Sequence, residues 1–507
     1  MLPVGILIFI VVLYLRIRLI PSLSTDIAGI EQSMVYGIQT LMYNGKIYSS
    51  PMIPPFAITL YTPLFYFICA GIGKLFSVDP STGIHQIYII GRSLDLLFNL
   101  LTAFFVYKIA WRIFGIPKTS ALSLFFISFV ISFAHNFAVR PDALQDTFSV
   151  ASIYYFLLHL SDSKSSAASK TLLFIAVLIS ALSVFAKQSG IQLIILFTSF
   201  TVLIRDGKSL IWIFIFSAIV YGSMLAVILL QYPFFFENTI GGLDNGICFE
   251  NFLKFIITRY PFLWSILPMI LISAFILMRK NSLMSGTLPD RFLSLAVTGT
   301  FLFATITALK NGSTMQYYTL FLNLAMVLIF KSLHRGIAES QHIFDIDIRK
   351  WSGIFYGYCC LAMFAFSVYN YKLVYTFNKW PVLIDLRGDG SRVAALLKQE
   401  LAKENDKYVF AHLNTDVTVH SRQGINNILF KESVLPQLEI LSISERPLKI
   451  IGYNRFEEDL QNGRIEYIIE SAPAMRFIPS QNYTAIMSTH FRLWKEMKGY
   501  QIYRYFQ

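Results

Sequence analysis

The chain has 507 residues, of which 55% are hydrophobic and 14% charged. Globular domains run near a quarter charged, so this composition excludes an ordinary water-soluble protein and requires lipid around much of the surface. The net charge of +12 would suit a nucleic-acid partner in a soluble protein, but here the lysines and arginines sit in short loops between apolar runs, where membrane orientation places them, so no nucleic-acid partner is inferred.

Apolar runs able to cross about 30 Å of hydrocarbon recur from the first residues to Tyr371 and then stop. Leu2 to Leu15 carries neither a basic leader nor a small-residue cleavage site, and reads as a retained helix. Spans are predicted over residues 2–20, 86–107, 120–137, 147–160, 171–186, 190–204, 209–230, 260–278, 292–309, 316–333 and 351–372, about eleven helices in all. The fold class is therefore an α-helical polytopic membrane body, residues 1–372, followed by a soluble α/β domain, residues 373–507.

Basic residues alternate by loop. Lys108, Arg112 and Lys118, then Lys164 and Lys170, Arg205 and Lys208, Arg279, Lys280 and Arg291, and Lys331, Arg335, Arg349 and Lys350 share one side. The other loops hold Arg140, Lys187, Lys254, Arg259 and Lys310. The positive-inside rule makes the first set cytoplasmic and puts the C-terminal domain outside a plasma (inner) membrane. Ala57 to Phe76 is apolar enough to span, which would reverse that parity if the N-terminus is cytoplasmic. With Pro63, Tyr61, Tyr66 and Gly71 it suits an interfacial or re-entrant helix; the rival arrangement lets it span and starts the chain outside.

In the tail, Val393 to Lys403 and Phe456 to Asn462 read as helices, and Tyr408 to His412, Leu448 to Tyr453 and Ile465 to Ile469 as strands. No phosphate-gripping glycine motif or nucleophile elbow accompanies them, so acceptor binding or support is expected of this domain. The cysteines, Cys69, Cys248, Cys359 and Cys360, have no zinc-ligand spacing and make no disulfide framework.

Ionisable groups at membrane depth are costly, so their positions carry the most information. Asp26 and Glu31 precede an amphipathic helix that ends near Asn44 and Gly45. The aromatic segment Tyr61 to Phe67 contains TPLFYF, and the next span opens with Gly91, Arg92, Ser93, Leu94 and Asp95, where Arg92 and Asp95 can meet at i and i+3. Arg140, Pro141 and Asp142 follow in the next loop, then Lys187 and Gln188, then LKNGSTMQYY from Leu309 to Tyr318.

In order and sidedness, these motifs over residues 1–335 resemble the GT-C superfamily of membrane glycosyltransferases, nearest the branch of protein mannosyltransferases and aminoarabinose lipid A transferases. The resemblance implies a sugar donor linked to a polyprenyl phosphate, a glycan, lipid or protein acceptor, and a carboxylate base in the first outer loop, here Asp26 or Glu31. The usual adjacent Asp-Glu pair is absent. In related oligosaccharyl transferases a second outer loop supplies acids for a divalent metal, and Asp142 with Asp146 would be that pair here; the branch most resembled does not generally depend on one.

The chemistry asks for the same residue types without the family. An acceptor must lose a proton to a carboxylate as it attacks the anomeric carbon, in a single displacement that inverts it. The leaving lipid phosphate needs cations, and Arg92, Arg140, Lys187 and Lys310 are the outer-facing ones. Asp142, Tyr61, Tyr66, Gln188 and Tyr317 complete the expected substrate site. Each also has a structural reading: Asp26 as a helix cap, Arg92 with Asp95 as an ion pair, Asp142 as a dipole-favoured carboxylate, the tyrosines as interfacial belt residues. The rival function, a transporter of a lipid-linked glycan, calls for paired halves and mid-membrane charges, which the sequence does not display.

Overall fold

The structure is a computed structural model and describes residues 2–22, 31–53, 58–80, 83–131, 138–162, 167–243, 246–247, 249–250, 252–253, 267–280, 286–310, 313, 315–338, 342–343, 346–383, 408–412, 453–471, 481–497 and 500–506. The helices of the body are α1 (Leu2–Leu19), α2 (Glu31–Asn44), α3 (Leu64–Leu75), α4 (Ile84–Lys108), α5 (Lys118–Val130), α6 (Asp142–Ser161), α7 (Ala167–Ala186), α8 (Gln192–Leu203), α9 (Gly207–Gln231), the short α10 (Phe235–Thr239), α11 (Leu267–Lys280), α12 (Leu288–Ala308), α13 (Thr319–Ala338) and α14 (Ile348–Leu383). Every predicted span overlaps one of them. Among the described residues five stretches are long and apolar enough to cross a membrane: Ile84–Ile113, Ala167–Ala186, Gly207–Gln231, Leu288–Ala308 and Gln316–Arg335. The protein is an α-helical polytopic membrane body with a small C-terminal sheet.

Two helices bear on the ambiguous first loop. α2 ends at Asn44 because Gly45 takes φ +69° and its N–H closes on the Leu41 carbonyl at 3.0 Å, the left-handed stop that glycine tolerates best. α3 has 12 residues, which at 1.5 Å each make about 18 Å, well short of a bilayer's hydrocarbon. It packs against α2 and α4, with Tyr66 buried and its hydroxyl donating to the Met34 Sδ at 3.1 Å. Tyr66 is thereby a packing residue of this layer.

α6 lies at the centre, against α4 on one side and α7 on the other. Its small polar residues permit that approach: the Ser152 hydroxyl donates to the Ala176 carbonyl at 2.7 Å, and Ser149 and Ser183 share a hydrogen bond at 3.0 Å, the close-packing device of membrane helices. Lower in the body Phe156 stacks on Phe197 at 4.2 Å, with Phe200 and Phe292 around them. α9, by contrast, presents Ile211, Phe214, Ile219 and Leu230 outward, as a lipid-facing helix should.

Two short strands, β1 (His342–Ile343) and β2 (Ile346–Asp347), pair antiparallel just before α14. α14 continues to Leu383, past the boundary of 372 expected from hydropathy. The tail forms a sheet in the order β3 (Tyr408–His412), β4 (Ile465–Ser471), β6 (Tyr500–Tyr505), β5 (Phe491–Met497), with β3 and β4 parallel and the rest antiparallel. Helices α15 (Tyr453–Gln461) and α16 (Gln481–His490) accompany it. The expected helix at Val393 to Lys403 and most of the strand at Leu448 to Tyr453 lie outside the described residues; Tyr453 itself begins α15.

Candidate active site

Arg92 on α4 is fully buried, and its guanidinium meets Glu31, the first residue of α2, in a two-pronged pair: Nε to Oε1 at 3.0 Å and Nη2 to Oε2 at 2.9 Å. Nη1 donates to the Ser22 carbonyl at 2.7 Å, which draws in the chain leaving α1. The Val139 N–H donates to the Glu31 Oε1 at 2.7 Å, so the loop before α6 is pinned to the same carboxylate. That loop reaches α4 because Gly91 has no side chain: a Cβ there would stand 2.6 Å from the Val139 Cγ1. The expected partner of Arg92, Asp95, is different in kind. Asp95 is fully buried, and among the described residues no donor closes a hydrogen bond on either of its oxygens by distance and angle. The i, i+3 pairing is corrected by a stronger competitor, since Glu31 offers both oxygens to the planar fork.

A second cluster forms where α6 begins and α7 ends. Asp142 accepts from the Lys187 Nζ at 2.5 Å through Oδ1 and from the Arg140 Nε at 3.1 Å through Oδ2. All three side chains are at most 6% exposed. Arg140 Nη2 donates to the Tyr61 hydroxyl at 3.4 Å, and the Lys187 ammonium lies 4.4 Å from the ring centre of Tyr317 and 5.5 Å from that of Tyr61. Five residues named separately from sequence thus share one site, with two cations to one acid. Burial by itself would favour the neutral amine of Lys187, but Asp142 outweighs it and the ammonium is held above the ordinary lysine value. Arg140, in the loop before α6, is likewise kept charged against burial by Tyr61 and Asp142.

Gln188, next to Lys187, spends its amide on the Leu60 and Thr239 carbonyls at 2.7 and 2.9 Å, tying three loops together. Lys310, just past α12, pairs its main chain with Ile247 in an antiparallel bridge. Asp26 lies outside the described residues. The sequence did not single out Thr62, whose hydroxyl donates to the Val184 carbonyl at 2.8 Å and clamps the start of α3 to the end of α7; a threonine before proline in an aromatic run carries no signal of that contact.

Directly beside this clamp is a cavity of about 270 Å³ lined by Pro63, Leu64, Phe67 and Phe185 with Met224, Val227 and Ile228 of α9. Pro63 and Leu64 follow Tyr61 by two and three residues and Phe185 precedes Lys187 by two, so the same two segments present cations and phenol on one side and an apolar slot on the other. The acids do not suit a divalent metal. Asp142 gives one oxygen to each of two cations, and among the described residues no three His, Cys, Asp or Glu side chains converge.

The fold is shared with solved structures of two kinds. The chain is similar to the crystal structure of ArnT from Cupriavidus metallidurans bound to undecaprenyl phosphate, at 13% identity and a TM-score of 0.59, over 98% of this chain and 97% of that one. It is similar to the archaeal oligosaccharyltransferase AglB from Archaeoglobus fulgidus in complex with an inhibitory peptide and a dolichol-phosphate, at 10% identity and a TM-score of 0.59, over 99% of this chain and 74% of that one. A structure of the Archaeoglobus fulgidus oligosaccharyltransferase with Zn and sulfate matches at 12% identity and a TM-score of 0.53, over 92% of this chain and 68% of that one. No protein-family model and no curated protein sequence matches the chain.

Proposed function

We propose that the protein is an inverting glycosyltransferase that takes a sugar from a polyprenyl monophosphate and delivers it to a glycan, lipid or protein acceptor on the outer face of the plasma (inner) membrane, where the soluble domain, from about residue 373 on, also lies. The observation that supports this reading is the junction at Tyr61 to Leu64 and Phe185 to Lys187, where Arg140 and Lys187 meet on Asp142 and neighbouring residues of the same two segments line an apolar slot. A lipid phosphate has that polarity: an anionic head and an isoprenoid tail. ArnT, which has the same fold, was crystallised bound to undecaprenyl phosphate, and AglB was solved in complex with a dolichol-phosphate.

Lys187 and Arg140 hold the phosphate and stabilise its charge as the sugar leaves, with Lys310 and Arg92 as further cations near the site and Tyr61, Tyr317 and Asp142 shaping it. Asp142 keeps both cations charged and aimed. Glu31 spends its oxygens on Arg92, so its task is to fix the first loop on α4, and general-base work falls to Asp26, five residues earlier. Gln188 and Tyr66 build the walls.

Purified protein incubated with a panel of polyprenyl-phosphate sugars should release polyprenyl phosphate and a glycosylated acceptor from one member. A transporter of lipid-linked glycans would instead move the intact donor across vesicles. Movement without release of polyprenyl phosphate would overturn the enzymatic reading.

A further inference from the structure

The end of α4 gathers cations around one indole ring. The apolar stretch Ile84–Ile113 closes in a π-helical turn, Ile109–Ile113, after which the Ile116 N–H donates to the Ala110 carbonyl at 3.0 Å and folds the chain back. Lys118, the first residue of α5, thereby reaches Trp111: its ammonium is 5.0 Å from the ring centre, and the Lys108 ammonium is 5.6 Å from the same centre. Laid end to end, those distances keep the two ammoniums within about 11 Å of each other, near the screening length of physiological salt, so each adds to the other's attraction for an anion. Among the described residues, Lys108, Arg112 and Lys118 have no acid in ion-pair reach, whereas Lys331 and Arg335 of α13 meet Asp290 at 2.6 and 3.0 Å.

The end of a membrane span meets lipid headgroups before bulk water. Below Lys108, Leu97 and Phe104 are exposed and Leu101 is half-buried. Positions 97, 101, 104 and 108 share one face of a helix, and the Lys108 ammonium lies 5.2 Å from the Phe104 ring centre. That strip is about 16 Å long at 1.5 Å per residue, roughly the depth of one leaflet's hydrocarbon. An apolar strip of leaflet depth that runs into two ammoniums and an indole has the polarity of a phospholipid: an acyl chain below, a phosphodiester above. A zwitterionic headgroup would bring a cation of its own against the lysines, so the lipid that fits carries net negative charge.

We propose that Lys108, Trp111 and Lys118 form a binding site for one anionic phospholipid, its phosphodiester between the two ammoniums and an acyl chain along Leu97 to Phe104. The site does not depend on the glycosyl-transfer reading. On the proposed topology it lies in the cytoplasmic leaflet, away from Arg140 and Lys187, and the bound lipid holds that end of α4 at the membrane surface.

The fluorescence of the detergent-solubilised full chain is titrated with phosphatidylglycerol brominated on its acyl chains, and with phosphatidylcholine carrying the same chains. The Trp111 contribution is the difference from Trp111→Phe. Half-quenching should need about thirtyfold less of the anionic lipid, at about fivefold for each lysine. Lys108→Gln with Lys118→Gln, read against Trp111→Phe in that background, should lose the preference. Arg205→Gln with Lys208→Gln, two exposed cations on the same side of the proposed topology, should keep it. Equal quenching of wild-type Trp111 by the two lipids overturns the proposal without the lysine variants. So does a preference that survives loss of Lys108 and Lys118, or one that loss of Arg205 and Lys208 removes as fully, since the attraction would then belong to the diffuse charge of that face.

Discussion

At the scale of single residues the acids divide by what surrounds them. Glu31 is locked by the guanidinium fork of Arg92 and the Val139 N–H. Breaking such a pair strands a buried cation, at a cost of about 3–5 kcal/mol. Glu31→Gln should therefore lower the unfolding temperature markedly and reduce transfer through lost protein. Asp26→Asn should abolish transfer at unchanged unfolding temperature, which differential scanning fluorimetry beside a transfer assay would show; wild-type transfer in that variant would sink the base assignment. Lys187→Met keeps the apolar stem and deletes the charge. Turnover should fall by about two orders of magnitude, the size of effect seen when one charge-stabilising donor is removed, while Arg140 still serves Asp142 and keeps the fold. Unchanged kcat in that variant would remove Lys187 from the chemistry.

At the scale of elements, the site depends on close approach more than on helix propensity. The loop before α6 reaches Glu31 because Gly91 opens a slot for Val139. Gly91→Ala should cost about 1–3 kcal/mol through overpacking. Val139→Ala in the same chain should restore part of that loss, and additive effects in the double-mutant cycle would show that the contact is not formed. The spans themselves were legible in the sequence, since runs such as Leu288 to Ala308 are long and apolar. So were the residues of the cation cluster, because charges beside apolar helix ends are few. The pairing was not: Arg92 and Asp95 sit one turn apart on α4, whereas Arg92 and Glu31 are joined across 61 positions, and local spacing cannot weigh a distant competitor. The pairing of β5 with β6 is not legible as apolar runs, because Arg492, Lys495, Glu496 and Arg504 interrupt FRLWKEM and YQIYRY and the register shifts between Leu493 and Lys495.

At the scale of the whole molecule, sidedness decides whether the proposed chemistry faces the donor. The proposed topology takes α3, with 12 residues, as an interfacial or re-entrant helix, so that α1 and α4 enclose one excursion of the chain on a single side. On the proposed topology the basic loops, Arg205 and Lys208 among them, fall opposite the Arg140 and Lys187 cluster, which the positive-inside rule would make extracytoplasmic. Asn44, at the end of α2, and Lys208, at the start of α9, are both exposed, and the proposed topology puts them on opposite sides. In a background without native cysteines, Asn44→Cys in intact cells should react with an impermeant maleimide. Lys208→Cys should react only after the membrane is opened. The reverse pattern would place the phosphate cations and the apolar slot on the cytoplasmic side, where an acceptor outside the cell could not reach the anomeric carbon, and the transferase would have to act on an internal acceptor.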